Sequence, residues 1–232
     1  MRPSQTSFVH LRLHTEYSVV DGTVRIDEAS AAAAQYGQVA VAVTDFCNLF
    51  GGVKFYKSAR AKGVKPIIGA ELLLDIGHGD ASRDGAISRI VLLVLNHEGY
   101  LNLCELISRA WTQNQIRSQA VVKLPWLREL NQGLLLLSGA QAGPLGTALL
   151  QGDEAKAGAL ALELATVFAH RFYIELQRAG RPDDEAHVAA AVKLASRMKL
   201  PVVATHPVQF LTAQDYEAHE ARICISEGEI LG

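Results

Sequence analysis

Near the start of the sequence, His10, Arg12, His14 and Asp21 fall within a dozen residues. Imidazole and carboxylate are donors that zinc, manganese and iron accept, and a guanidinium suits either a phosphate or a carboxylate. The stretch that carries them, Phe8-Val9-His10-Leu11-Arg12-Leu13-His14, alternates with period two. Read as a strand, it puts Phe8, His10, Arg12 and His14 on one face. An aliphatic row of Val9, Leu11 and Leu13 takes the other, which reads as buried. Such a polar row suggests the lining of a barrel or cleft.

More polar residues stand at the carboxyl ends of other apolar runs: Asp45, Glu71, Asn96, Ser138, Glu175 and His206. Parallel α/β barrels build their sites there. Gathered at one mouth, these side chains are ligand types for one or two ions and suit metal-assisted phosphoester hydrolysis. Each also has a plainer role. Asp45, after Thr44, fits a helix N-cap. His206 precedes Pro207, which holds its backbone extended, and reads as structural. Glu71 lies among aliphatics, and a buried acid needs a partner. Arg12, between two histidines, is a poor neighbour for a cation and is assigned to Asp21, Asp45 or Glu71. Lys54 and Lys57 either meet a phosphate or form a solvated helix face.

The elements that must position these residues alternate in type. After the opening strand come an Ala-rich helix over 25–36 closed by Gly37, a buried strand over 39–43, a helix over 50–62 closed by Gly63, and a strand over 66–74. The stretch 75–88, with Gly77, Gly79 and Gly85, has loop composition. Further strands are expected over 89–95, 133–138, 172–177 and 201–205. Helices are expected over 100–112, 124–130, 154–170, 183–198 and 215–229. About seven strands alternating with helices predict a parallel sheet covered by helices. The absence of G-x-G-x-x-G after the first strand favours a β/α barrel over an open dinucleotide-binding sheet.

Composition narrows the class. A chain of 232 residues with 49% hydrophobic residues is long enough for one large α/β domain over 1–232. A net charge of −2 argues against a general phosphate-binding surface but leaves room for a local groove. The three cysteines, Cys47, Cys104 and Cys224, include no C-x-x-C pair, which fits a reducing compartment and a cytoplasmic protein. The apolar runs are too short to span a bilayer, so no membrane partner is expected.

The motifs also carry a resemblance. His10-Leu11-Arg12-Leu13-His14-Thr15-Glu16-Tyr17-Ser18 with Asp21-Gly22 resembles the first motif of the PHP (polymerase and histidinol phosphatase) domain. It is closest to the form at the amino terminus of bacterial replicative polymerases. Ala42-Val43-Thr44-Asp45-Phe46, Asn48-Leu49-Phe50-Gly51, Val53-Lys54-Phe55-Tyr56, Gly63 to Glu71, Leu137-Ser138-Gly139 and Val203-Ala204-Thr205-His206 continue the match in order. The resemblance implies a distorted β/α barrel of about seven strands, excised from the amino-terminal part of a much longer polymerase chain. The abrupt stop at Gly232 agrees with such an excision. The family places nucleotidyl transfer, with its aspartate cluster and two magnesium ions, further along that chain.

Departures from the family pattern bear on mechanism. Metal-binding members have His-x-His where this chain has His10 and Arg12. Family histidines fall at Phe46 and near Arg89, the family cysteine at Ala140, and the last Asp and His at Pro207 and Gln209. His10, Asp21 and Glu71 remain as vestigial ligands, with His14, Asp45 and His206 as weaker ones. The resemblance therefore implies a degenerate, metal-free site of proteobacterial type. It also implies a scaffold that stabilises the polymerase, docks the proofreading exonuclease (epsilon) subunit, and meets DNA through the parent polymerase. The alternative is a residual hydrolase with one weakly bound zinc or manganese ion, acting on pyrophosphate or a DNA 3′ end. There Asp21 or Glu71 activates water and Arg12 neutralises phosphate.

Overall fold

A computed structural model describes residues 8–77 and 87–230. Most of the loop expected over 75–88, with Gly79 and Gly85, lies outside the described residues, as does the stop at Gly232. The chain divides into two compact units, Met1–Ile68 with Pro207–Gly232, and Gly69–His206.

In the first unit, α1 (Ile26–Gln35) follows from its Ala-rich sequence and from Asp27 and Glu28 in its first turn, where they complement the helix dipole. Ile26, Ala29 and Ala33 form its buried stripe. The strand β1 (Ala40–Val43) is buried at every position, as a parallel strand covered on both faces should be. It pairs in parallel with the first residues of β2 (Lys65–Asp75), from Ala40 opposite Lys65 to Val43 opposite Ile68. Between them, α2 (Gly52–Ala61) buries Phe55, Ser58 and Ala59 on one side and packs against α1. Phe55 is fully buried with Leu13, Val24, Ile26, Val41 and Val43. Its burial contributes about 1.5–3 kcal/mol. The closing helix α8 (Tyr216–Glu227) belongs to this unit.

The opening segment departs from expectation. Instead of a regular strand, it makes isolated bridges, Leu13 with Val208 and Thr15 with Val24. Two bonds tie it to β1, from the Ala42 amide to the His10 carbonyl and from the Thr44 amide to the Leu13 carbonyl. The supposed faces do not separate cleanly either. Arg12 and His14 are buried, whereas Val9 and Leu11 are only partly so.

In the second unit the strands run in the order β4 (Gln115–Ile116), β5 (Gln119–Lys123), β2, β3 (Ile87–Val94), β6 (Leu134–Leu137), β7 (Phe172–Gln177) and β8 (Val202–Thr205). The pairs β6–β7 and β7–β8 are parallel, joined through α5 (Pro144–Leu150) with α6 (Glu154–Val167) and through α7 (Asp184–Met198). The parallel sheet expected from sequence is interrupted at β3, which is antiparallel to both β2 and β6. Only 11 residues lie between Asp75 and Ile87, and parallel neighbours need a crossover of a dozen or more residues. The helices α3 (His97–Gln113) and α4 (Leu124–Glu129) complete the unit. Its core holds Ile90, Leu92, Leu103, Leu106, Leu134 and Phe168, all fully buried. The α/β class read from the sequence is the class observed.

Candidate functional site

The turn that carries Asp21 is built on Gly22. The Gly22 amide donates to the Ser18 carbonyl at 2.8 Å. A Cβ at this position would lie 2.0 Å from the Thr15 carbonyl oxygen, so the turn excludes a side chain. Asp21 is thereby placed in the first unit with His14 Nδ1 at 2.8 Å from one carboxylate oxygen and Gln209 Nε2 at 2.6 Å from the other. His219 Nδ1 lies 2.9 Å from the Asp21 backbone carbonyl. His14, Asp21 and His219 are all buried.

Asp45 does not cap a helix, which corrects the N-cap reading. The N-cap of α2 is Gly51, and no side chain bonds there. The Asp45 carboxylate instead ties down the opening motif. It accepts from the Thr15 amide at 2.6 Å, the Thr15 hydroxyl at 2.8 Å and the Ser18 hydroxyl at 2.8 Å. Burial raises its pKa above the ordinary carboxylate value, and the bonds from Thr15 and Ser18 act against that rise. His10 is half-buried, with its ring edge-on to Phe8 at 4.9 Å. Arg12 is buried, and its carbonyl accepts from the Val208 amide.

The second unit holds the other acids. Glu71 on β2 is fully buried, and Arg89 Nη1 on β3 donates to its carboxylate at 2.8 Å. Arg89 faces Leu73 across the ladder, two residues along from Glu71, so the pair is a same-face diagonal. Of the partners proposed for Glu71, sequence reasoning had Arg12 in view and missed Arg89.

Glu175, at the carboxyl half of β7, is fully buried and accepts from the Gly139 amide at 3.0 Å, Gln177 Nε2 at 3.0 Å and the Thr205 hydroxyl. Its own amide donates to Ser138 Oγ at 2.9 Å. Asn96 is the N-cap of α3, accepting from the Gly99 amide at 2.9 Å. His206 is exposed. Ala140, at the family's cysteine position, has φ +51°, and Cys47, next to Phe46, has φ +54°. Left-handed backbone at non-glycine residues concentrates at functional sites.

Sequence reasoning thus placed Asp21 and His14 together but gave no partner for Asp21 at long range. Gln209 and His219 lie 188 and 198 residues away, beyond any local pattern. Among the described residues, no group of three or more His, Cys, Asp and Glu side chains is arranged to hold a metal ion. No helix among them is long and apolar enough to cross a membrane.

Residues 10–179 match the PHP domain. The chain belongs to this family. It is 50% identical over 225 residues to DNA polymerase III subunit alpha of Pseudomonas aeruginosa, covering 97% of this chain and 19% of that protein. The subunits of Neisseria meningitidis and Escherichia coli are 45% and 40% identical, over 98% and 97% of this chain and 20% and 19% of theirs. The chain therefore spans about a fifth of the length of these relatives. Among solved structures it is similar to an amidohydrolase from Chromobacterium violaceum, with a TM-score of 0.55 at 13% identity, covering 92% of this chain and 96% of that one. A protein from Bifidobacterium adolescentis described as a metal-dependent phosphoesterase has a TM-score of 0.52 at 10% identity, covering 94% and 97%. These likenesses are of fold.

Proposed function

We propose that this PHP domain is catalytically degenerate and serves as a scaffold within a DNA polymerase III alpha chain in the cytoplasm. In that reading it stabilises the neighbouring polymerase domains and docks the proofreading exonuclease subunit. One observation carries the reading: the remaining acids are engaged by the residues that stand where the family has metal ligands. Gln209, at the last histidine position, donates to Asp21. Arg89, near another histidine position, donates to Glu71. A guanidinium balances a carboxylate's charge and an amide occupies one of its oxygens, both without an ion, and metal affinity depends on ligand count and geometry. The donor set present does not fit a multinuclear centre. Transferase chemistry belongs, in this reading, to the magnesium-binding part of the longer chain.

The test is metal content by plasma mass spectrometry, on protein purified without chelator and after zinc or manganese loading, followed by pull-down with the exonuclease subunit. Sub-stoichiometric metal and retention of the exonuclease are expected. Tightly held stoichiometric metal, with hydrolysis of pyrophosphate or a DNA 3′ end that is lost in Glu71→Gln, overturns the scaffold and leaves the residual hydrolase.

A further inference from the structure

The stretch from Phe46 to Ala70 holds five cations, Lys54, Lys57, Arg60, Lys62 and Lys65, and no acid. In a chain of net charge −2 this is a local concentration of positive charge. The structure places three of these residues on the solvent side of α2. Lys54, Lys57 and Arg60 are exposed there, opposite buried Phe55, Ser58 and Ala59. Apolar groups share the exposed side: Val53 is 64% exposed and Tyr56 47%, and Phe50, just before the helix, is 75% exposed. The Arg60 guanidinium lies over the Tyr56 ring at 5.7 Å from its centroid.

Next to this face, within the same unit, is a cleft of about 530 Å³ lined by Glu16, Tyr17, Thr23, Arg25, Lys54 and Arg222. Three cations and one acid line it. Glu16 is shared by Arg25 at 2.9 Å and Lys54 at 3.1 Å, so a single carboxylate answers two positive charges. Arg222 is fixed by donating to the Val19 and Gly22 carbonyls at 2.8 and 2.7 Å, which cancels none of its charge. Opposing acid comes from α1, where Asp27 bonds Ser58 on α2 at 2.6 Å. The balance over the cleft and the helix face remains positive.

We propose that the outer face of α2 and the adjoining cleft form a binding surface for single-stranded nucleic acid. Polyanion binding follows from the clustered cations, and strand preference from the exposed rings, since base–aromatic stacking needs unpaired bases. From Phe50 to Arg60 the face runs about 15 Å, room for a few nucleotides. The cleft takes a phosphate between Lys54, Arg25 and Arg222, with Glu16 released to one of its cations. Tyr56 and Phe50 offer the stacking platforms. This proposal goes beyond the scaffold reading and stands without it.

The test is fluorescence anisotropy of the 232-residue chain with labelled oligo(dT) of about 15 nucleotides and with a duplex of equal length, between roughly 50 and 200 mM salt. Binding of the single strand, weakening with salt, is expected. Lys57→Glu/Arg60→Glu should abolish it or reduce the log–log salt slope by about 1.4, the value for two lost phosphate contacts on a single strand. Tyr56→Ala should weaken the single strand roughly tenfold and leave the duplex unchanged. These side chains are exposed, and a circular dichroism melt checks that each variant folds. Lys156→Glu/Lys199→Glu, in the second unit, is the control. Absence of binding at low salt, or an equal loss in the control, overturns the proposal. Displacement of the oligonucleotide by polyglutamate at equal charge also overturns it, and assigns the face to an acidic polypeptide.

Discussion

Gln209 Nε2 donates to Asp21 Oδ2 at 2.6 Å, joining residues 188 positions apart. The bond satisfies one oxygen of a buried carboxylate whose other oxygen meets His14. Gln209→Leu leaves that oxygen without its amide and should cost about 1–3 kcal/mol in urea unfolding. Gln209→Glu sets a second carboxylate beside the first. It should be the more destabilising change at neutral pH and the milder one at pH 4, where carboxyls begin to protonate.

Arg89 and Glu71 make a second such pair, but an asymmetric one. The Glu71 side chain is fully buried, while that of Arg89 is 39% exposed. Removing the guanidinium by Arg89→Met takes a counter-charge away from a buried carboxylate. The expected loss is about 2–3 kcal/mol, below the range for wholly buried pairs because solvent reaches the arginine. Adding Glu71→Gln to Arg89→Met should recover most of it. A double-mutant cycle by chemical denaturation measures the coupling.

His187 on α7 is buried, and burial lowers its pKa below the ordinary 6.5, against the opposing pull of Glu175 and Asp184. The folded protein holds the ring neutral, while the unfolded chain takes up a proton below pH 6.5. The stabilisation is therefore complete above pH 6.5 and is lost as pH falls toward the lowered folded value. Unfolding midpoints of the native chain should fall between pH 7 and 5 more steeply than those of His187→Gln.

Gly139 links Glu71 and Glu175, two buried acids of the second unit. It has φ +82°, its amide donates to Glu175, and a Cβ there would lie 1.8 Å from the Arg89 carbonyl. Gly139→Ala meets both a left-handed backbone and a backbone clash. It should cost more than about 2 kcal/mol and disturb the Glu71–Arg89 pair, read as reduced coupling in the cycle described above.

Buried strands and longer helices were legible because their patterns are local. The run Leu134–Leu137 reads as buried strand, and the Ala-rich stripe of α1 as helix, from neighbouring residues alone. The hairpin of β4 and β5 was missed because Arg117 and Ser118 occupy its turn at φ +50° and +63°, where Asn-Gly is the recognisable signal. α5 was missed because a helix of seven residues is too short to show a period. At the site, spacing suggested Asp21 and Glu71, but which cations and amides answer them depends on pairings across the fold. Arg89 and Gln209 stood out only as departures from the family pattern.

The first unit is assembled from two separated pieces of chain, 1–68 and 207–232, whereas the second is continuous from 69 to 206. Leu13 bridges Val208, and Arg222 holds the carbonyls of Val19 and Gly22. During synthesis, the opening motif therefore emerges long before the residues that complete it. At ribosomal rates of about 5–20 residues per second, the interval from Leu13 to Val208 lasts roughly 10–40 s. The continuous unit ends at His206, so its synthesis fills most of that interval, while Leu13, Val24 and Phe55 wait with an unfinished core. That waiting interval is when a chaperone would find this chain, and shortening it by circular permutation should raise the yield of folded protein.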